Sequence, residues 1–156
     1  MDLTIQINET SKINVRSTGV IIHGDKILLH HNLNRPYYAL IGGRVKLFEN
    51  SEEAAIREFE EETGEKVFVL NHLTTIENFY NYNGFDVYEI EFVYRLEFQD
   101  DKLKNMTDTL YNKEGKDYLQ YEWVNFNDFD KIEIRPIEFM KYFKNKEAHL
   151  INNELK

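Results

Sequence analysis

The residues best suited to chemistry lie in one segment, GRVKLFENSEEAAIREFEEETG, which runs from Gly43 to Gly64. Five residues separate Gly43 from Glu49, and seven more precede a run with one arginine and three spaced glutamates: Arg57, Glu58, Glu61 and Glu62. Oxygen ligands without cysteine or clustered histidine select hard cations, so this set indicates Mg²⁺, with Mn²⁺ as a substitute. A cation held in this way could assist the cleavage of a diphosphate.

A helix must bring these carboxylates together. Asn50 or Ser51 is a good N-cap and Gly64 suits a left-handed end, which predicts a helix of about 13 residues. Glu58 and Glu62 then lie one turn apart, with Glu61 beside them, so the three carboxylates share one face. The alternative is a solvated glutamate-rich face, which the register of the whole segment disfavours.

Supporting roles can be assigned to the residues around the glutamates. Gly42 and Gly43 let the backbone bend tightly, and a carbonyl there could complete a metal shell. Arg57 can form a forked pair with Glu49 or Glu61, with an ordinary surface ion pair as the alternative. Arg44, just after the glycines, could meet phosphate oxygens.

The segment resembles the signature of the Nudix hydrolase family (MutT-like), whose members cleave nucleoside diphosphates linked to a further group. Two departures are Glu65, where the family usually has an aliphatic residue, and Ile41, where it often has proline. The resemblance implies an α/β/α sandwich with a central mixed, largely antiparallel sheet. It also implies metal ligands and catalytic residues at matching positions: Glu58, Glu61, Glu62 and Gly42 for the metal, and Glu61, Arg57 and Glu49 for catalysis.

The general base cannot be transferred by spacing. Glu114, in a polar stretch over residues 99–117, is the first candidate, and Glu122 is the second. An ordinary solvated acid is the alternative for each. Arg16, Arg44 and Tyr38 are the candidate substrate-binding residues, as cations for phosphate or sugar and as an aromatic surface for a base. Surface and core roles are their alternatives.

Composition bounds the rest of the prediction. The chain has 156 residues and 42% hydrophobic residues, which favours a single domain over 1–156, with residues 148–156 expected to form a flexible tail. A net charge of −9 opposes broad binding to nucleic acid or to an anionic membrane. The absence of cysteine and of a leader or long apolar run is compatible with a cytoplasmic protein.

The remaining elements are mostly strands. Residues 13–22 and 26–31 should form a hairpin, and Arg135-Pro136 should open a second helix. Strands are also predicted at residues 37–41, 67–70, 74–80, 85–98 and 118–124. In 85–98 the alternation predicts that Tyr88, Ile90 and Phe92 face the core, and that Glu89 and Glu91 lie on the other face.

Two functions remain open at this level. The first is a hydrolase that acts on ADP-ribose, another nucleotide sugar or a modified nucleoside triphosphate, with a small-molecule substrate as its partner. The second is a non-catalytic module that senses nucleotide or ADP-ribose. The intact set of glutamates favours the enzyme. The sequence does not decide whether the chain forms a homodimer.

Overall fold

The computed structural model describes residues 1–155, apart from the side chains of residues 143 and 144. Twelve strands and two helices follow one another in this order: β1 (Thr4–Gln6), β2 (Ser11–Val20), β3 (Ile22–His23), β4 (Lys26–Asn32), β5 (Tyr38–Ala39), β6 (Ile41–Arg44), α1 (Ser51–Thr63), β7 (Val67–Tyr82), β8 (Phe85–Phe98), β9 (Leu110–Tyr111), β10 (Leu119–Asn125), β11 (Ile134–Arg135), α2 (Phe139–Asn145) and β12 (His149–Asn153).

The strands form two mixed sheets. The first has the order β1-β2-β8-β7-β12, and β6 pairs with β2 on the edge that β1 also uses. The second has the order β11-β5-β4-β10-β9, with β3 also on β4. Within residues 1–155, the β2–β8, β7–β12 and β5–β11 pairs are parallel, and the other strand pairs are antiparallel. The predicted α/β class with mixed, largely antiparallel strands is confirmed, and the strands divide between two sheets.

Two apolar cores hold these sheets and helices together. One contains Phe59 of α1, packed with Leu96, Phe98 and Tyr121. The other contains Phe139 of α2, with residues from both sheets such as Ile76 and Val124. Burial of a whole aromatic side chain contributes roughly 2–3 kcal/mol, so Phe59 anchors α1 in this core.

Helix α1 has the ends that its sequence predicts. Asn50 is the N-cap and accepts a hydrogen bond from the backbone N–H of Glu53, whose own side chain accepts from the Asn50 N–H, completing a capping box. Gly64 ends the helix at φ 78°, where a side chain would be strained. Among residues 1–155, neither helix is long and apolar enough to cross a membrane.

Several element predictions need correction. The two strands predicted at 67–70 and 74–80 are one strand, because β8 pairs along the whole length of β7. The pairing shifts register at two points within residues 69–74. Arg135-Pro136 does not open a helix: residues 134–135 form β11 against β5 around the buried Ile134, and α2 begins at Phe139. Residues 149–153, within the expected tail, form β12 beside β7 and bury Leu150.

The predicted faces of β8 are wrong over residues 87–93. Val87, Glu89, Glu91 and Val93 are the buried positions there, and the buried register changes before Leu96 and Phe98, which are buried as predicted. The cost of burying these glutamates is lowered by polar residues of β2, where Asn14 pairs in register with Glu89 and Arg16 with Glu91, and each donates a hydrogen bond to its partner.

Candidate active site

Two glycines set the approach of β6 to its neighbours. Pairing with β2 places Gly42 opposite Thr18 and Gly43 opposite Ser17. A Cβ at Gly42 would overlap the Ser17 carbonyl oxygen, and a Cβ at Gly43 would overlap the Glu58 carboxylate. At Gly42 the overlap is with backbone, so glycine is required there, whereas at Gly43 a side chain would have to displace the Glu58 carboxylate. The backbone of the loop lies directly against this predicted metal ligand.

Arg57 connects the loop to the helix. Its Nε and Nη2 donate to the two oxygens of Glu49 at 2.6 and 2.9 Å, and Nη2 also donates to the Arg44 carbonyl at 3.1 Å. Its Nη1 donates to Glu58 at 2.7 Å and to Glu61 at 3.3 Å. The hydrogen bond from Arg57 lowers the pKa of Glu49, and the same bond raises the pKa of Arg57. The predicted fork thus forms with Glu49, and its other nitrogen holds two further glutamates.

Glu62 carries an unsatisfied buried oxygen. Its Oε2 is fully buried and has no hydrogen-bond partner within residues 1–155, although part of the residue remains exposed. The pKa of Glu62 is raised to about 8, chiefly by burial; Arg16 opposes this rise, and the charges of Glu58 and Glu114 add to it. A buried carboxylate beside like charges is costly unless a cation compensates it.

The donor set fits a hard divalent cation. Among the described residues, no three acidic, histidine or cysteine side chains already converge in a metal-binding group. Mg²⁺ nevertheless prefers carboxylate oxygens as ligands. Glu62 offers its unpartnered oxygen, and Glu58 offers a carboxylate that lies against the backbone of Gly43.

The polar loop after β8 folds back onto the end of α1. The Lys113 N–H donates to the Glu62 carbonyl at 2.8 Å, and the Glu114 N–H donates to the Asn112 side chain at 2.8 Å. Asn112 also donates to the Tyr121 hydroxyl at 2.8 Å. Glu114, the first candidate for the general base, is consequently near enough to raise the pKa of Glu62.

Glu122 and Tyr38 lie together in the second sheet. Glu122 pairs with Nδ1 of His31, whose ring lies 4.6 Å from that of Tyr38. Burial raises the pKa of Tyr38, with Glu122 as the second cause. Within the described part of the chain, neither residue has a hydrogen bond to a glutamate of α1. Of the two candidate bases, only Glu114 is among the charges that act on the pKa of Glu62.

A cavity of about 350 Å³ opens next to the motif. Arg16 and Arg44 line it, as does Tyr37 in place of its neighbour Tyr38. Sequence reasoning missed most of its polar wall, which comes from four strands: Asn14, Asn78, Glu89, Glu91 and Asn152. In the sequence, Glu89 and Glu91 look like the outer face of an alternating strand, so no local signal marked them as cavity residues.

Arg16 lies between this cavity and the motif. It donates to Glu91 at 3.2 Å and to the Gly42 carbonyl at 3.3 Å, and 29% of its side chain remains exposed. Although burial opposes its charge, Glu91 and Glu89 keep the pKa of Arg16 above its ordinary value. Arg16 is thus a fixed cation that links the cavity wall to a predicted metal ligand.

Comparison with known proteins places the chain in a family. The family model described as NUDIX domain matches residues 13–143. No curated protein sequence matches the chain. Among solved structures, it resembles the MutT protein from Methanosarcina mazei Go1, with a TM-score of 0.64, 19% identity and coverage of 89% of this chain and 95% of that one.

Two further solved structures share the fold. The MutT NUDIX hydrolase from Burkholderia pseudomallei has a TM-score of 0.55 and 23% identity, over 75% of this chain and 86% of that one. A NUDIX-family hydrolase from Clostridium perfringens has a TM-score of 0.59 and 21% identity, over 81% and 92%. With the spacing of the motif glutamates and the match over residues 13–143, these comparisons show that the chain belongs to the Nudix family of pyrophosphohydrolases.

Proposed function

We propose that the protein is a Mg²⁺-dependent hydrolase that cleaves the diphosphate of nucleoside diphosphate derivatives, such as ADP-ribose, another nucleotide sugar or a modified nucleoside triphosphate. The observation that carries this proposal is the buried, unpartnered oxygen of Glu62 beside Glu58. Such an arrangement is stabilised by a cation, and the carboxylates around it are held by one arginine.

The ligands of that cation would come from the loop and the helix: Glu58, Glu61, Glu62 and the carbonyl of Gly42. When bound, Mg²⁺ would offset the charge of the phosphate oxygens and make an attacking water more acidic. Mn²⁺ would serve as a substitute because it accepts the same oxygen ligands.

Other residues of this chain orient and bind. Arg57 holds Glu49, Glu58 and Glu61, so the carboxylates keep their places before substrate arrives. Arg44 lines the cavity next to the loop, and we assign it to the phosphate oxygens. Arg16 contributes positive charge at the same boundary through its exposed part.

Glu114 is the proposed general base. It belongs to the loop that docks on the end of α1, and its charge acts on Glu62. A carboxylate placed there accepts a proton from the attacking water.

A substrate-panel assay tests the proposal. The protein is incubated with Mg²⁺ and nucleotide sugars or nucleoside triphosphates, and the products are identified. We expect a nucleoside monophosphate with a phosphorylated remainder, no turnover with EDTA, and large losses in Glu58→Gln and Glu62→Gln. Glu52→Gln is the matched control, because Glu52 is exposed in the first turn of the same helix. Binding of nucleotide without turnover of any panel member would instead indicate a sensing module.

A further inference from the structure

The floor of the cavity is built by two parallel strands. Asn14 and Arg16 of β2 stand in register with Glu89 and Glu91 of β8, and all four side chains line the cavity. Asn14, Glu89 and Glu91 are 3%, 6% and 2% exposed. Two carboxylates and an amide are therefore fixed at the bottom of a cavity, where polar groups are costly without partners.

These side chains carry more hydrogen-bond acceptors than the surrounding protein has donors to satisfy. The Tyr80 hydroxyl and the Asn14 amide both donate to the same oxygen of Glu89, Oε2, at 2.9 and 3.4 Å. Its other oxygen, Oε1, receives no hydrogen bond from any described side chain or backbone. Oδ1 of Asn14 and Oε2 of Glu91 are buried and likewise lack partners within residues 1–155. The floor consequently has unmet capacity to accept hydrogen bonds.

The nearby cation does not remove this excess. Arg16 donates to only one oxygen of Glu91, and its Nη2 is shared between the Leu40 and Gly42 carbonyls. The hydrogen bonds of Glu89 come from neutral groups, Tyr80 and Asn14. A ligand that offers N–H donors to this floor would satisfy it, whereas a carbonyl oxygen in the same place would face a carboxylate.

The walls suit a flat ring. Tyr37, Tyr80 and Tyr82 line the cavity, and the Arg135 guanidinium lies 4.1 Å from the centre of the Tyr37 ring. Aromatic and guanidinium planes stack on heterocyclic bases. The volume of about 350 Å³ lies within the range of small-molecule sites. Because Arg44 lines the loop side of the cavity, a phosphate bound by it would lie next to the motif, and the ring would lie farther in.

We propose that this cavity selects a nucleobase carrying an exocyclic amino group, and that Glu89 is the specificity-determining residue that accepts from that group. The inference rests on the proposed function, because it assigns the base of the same nucleotide substrate. The amino group donates to the free Oε1 of Glu89, while Tyr80 and Asn14 keep the other oxygen in place.

Equilibrium binding tests the inference without turnover. Nucleoside monophosphates are titrated calorimetrically into metal-free protein in pairs that differ at the amino position: GMP with IMP, AMP with IMP, and CMP with UMP. We expect the amino-bearing member of at least one pair to bind about 10- to 100-fold more tightly. Equal affinities within all three pairs, or no binding of any nucleotide, would overturn the inference.

A single substitution sharpens the test. In Glu89→Gln, we expect the side-chain carbonyl to keep accepting from Tyr80 and Asn14, which turns the new amide N–H₂ toward the cavity. The preference should therefore disappear or reverse toward the oxo base. Glu77→Gln is the matched control, because Glu77 accepts from the Tyr88 hydroxyl at 2.8 Å on the same pair of strands but does not line the cavity. An unchanged preference in folded Glu89→Gln protein contradicts the assignment.

The two proposals fail in different ways. If the panel is hydrolysed without regard to the base, the base assignment is wrong and the hydrolase stands. If the monophosphate pairs are distinguished but no diphosphate is cleaved, the cavity is assigned correctly and the hydrolase proposal is wrong.

Discussion

Arg57 donates to both carboxylate oxygens of Glu49, from Nε at 2.6 Å and from Nη2 at 2.9 Å. The two residues are eight positions apart and belong to a loop and a helix, so this pair fixes the loop on the helix. It also leaves Nη1 for Glu58 and Glu61.

Replacement of Arg57 by lysine should lower kcat about 10- to 100-fold, because an ammonium cannot hold Glu49 with two parallel bonds and also reach Glu58. Steady-state kinetics on the preferred substrate of the panel measures the loss. Arg35→Lys is the control, since the Arg35 side chain is exposed and has no hydrogen bond within the described residues. Equal kcat values in the two variants would contradict the positioning role.

Alanine at Gly43 should reduce activity and preserve the fold. The added Cβ would overlap the Glu58 carboxylate, which is the mobile end of a side chain and can move aside. Displacement of a ligand by about 1 Å can cost about 10²-fold in rate. Thermal unfolding and kcat, measured on the same sample, separate the two effects.

Alanine at Gly42 provides the contrast. Its Cβ would overlap backbone at Ser17, which cannot move without disturbing the β2–β6 pairing. We expect a loss of about 1–3 kcal/mol in the free energy of unfolding. A variant as stable as the parent would show that β6 can shift more than the structure indicates.

The stability of the metal-free protein should fall as pH rises, through Glu62. Burial raises its folded pKa to about 8, so between about 4.5 and 8 the native state holds a proton that the unfolded state has released. The contribution is fully present below the unfolded pKa and is lost as pH rises to the folded pKa, by roughly 1 kcal/mol per pH unit. Urea denaturation in EDTA over this range measures it. The difference between parent and Glu62→Gln should show this slope, and parallel curves would contradict it.

Glu114→Gln should lower kcat by about 10²-fold or more if Glu114 accepts the proton. Glu122→Gln should keep kcat, because Glu122 is bound to His31 in the second sheet. A pH–rate profile of both variants adds a second readout, since loss of a base removes the limb that the base controls. The opposite pattern would transfer the role to Glu122.

Leu150→Ala should destabilise the protein by about 2–4 kcal/mol, because Leu150 is 3% exposed in a core shared by both sheets. Its neighbour Ile151 is 58% exposed on the same strand, and Ile151→Ala should cost less than about 0.5 kcal/mol. Similar small losses in both variants would indicate that residues 149–153 do not pack as β12.

Local chemistry made the motif readable from the sequence. The ends of α1 depend on Asn50 and Gly64, and the spacing of Arg57 put a fork within reach of Glu49 or Glu61, of which the structure forms the one with Glu49. Each of these features is determined by residues close in sequence, which is the range over which capping and side-chain pairing act.

The cavity could not be predicted from the sequence, because its residues come from strands that are far apart in the chain. Glu89 looked solvent-facing while the partner of β8 was unknown; its environment depends on Asn14, 75 positions away. Asn152 lines the cavity only because β12 pairs with β7. Alternation along one strand reports two faces, but tertiary pairing decides which of them is buried.

Strand β2 has a consequence for how this protein could diversify. One edge of β2 pairs with β6, which carries the loop glycines. The other edge pairs with β8 and brings Asn14 and Arg16 beside the two buried glutamates. The proposed reaction site and the proposed base-binding site are thus both positioned by β2. Substitutions on β7 and β8 could change the substrate specificity without moving the motif residues. A one-residue shift in the register of β2 would instead disrupt both proposed sites.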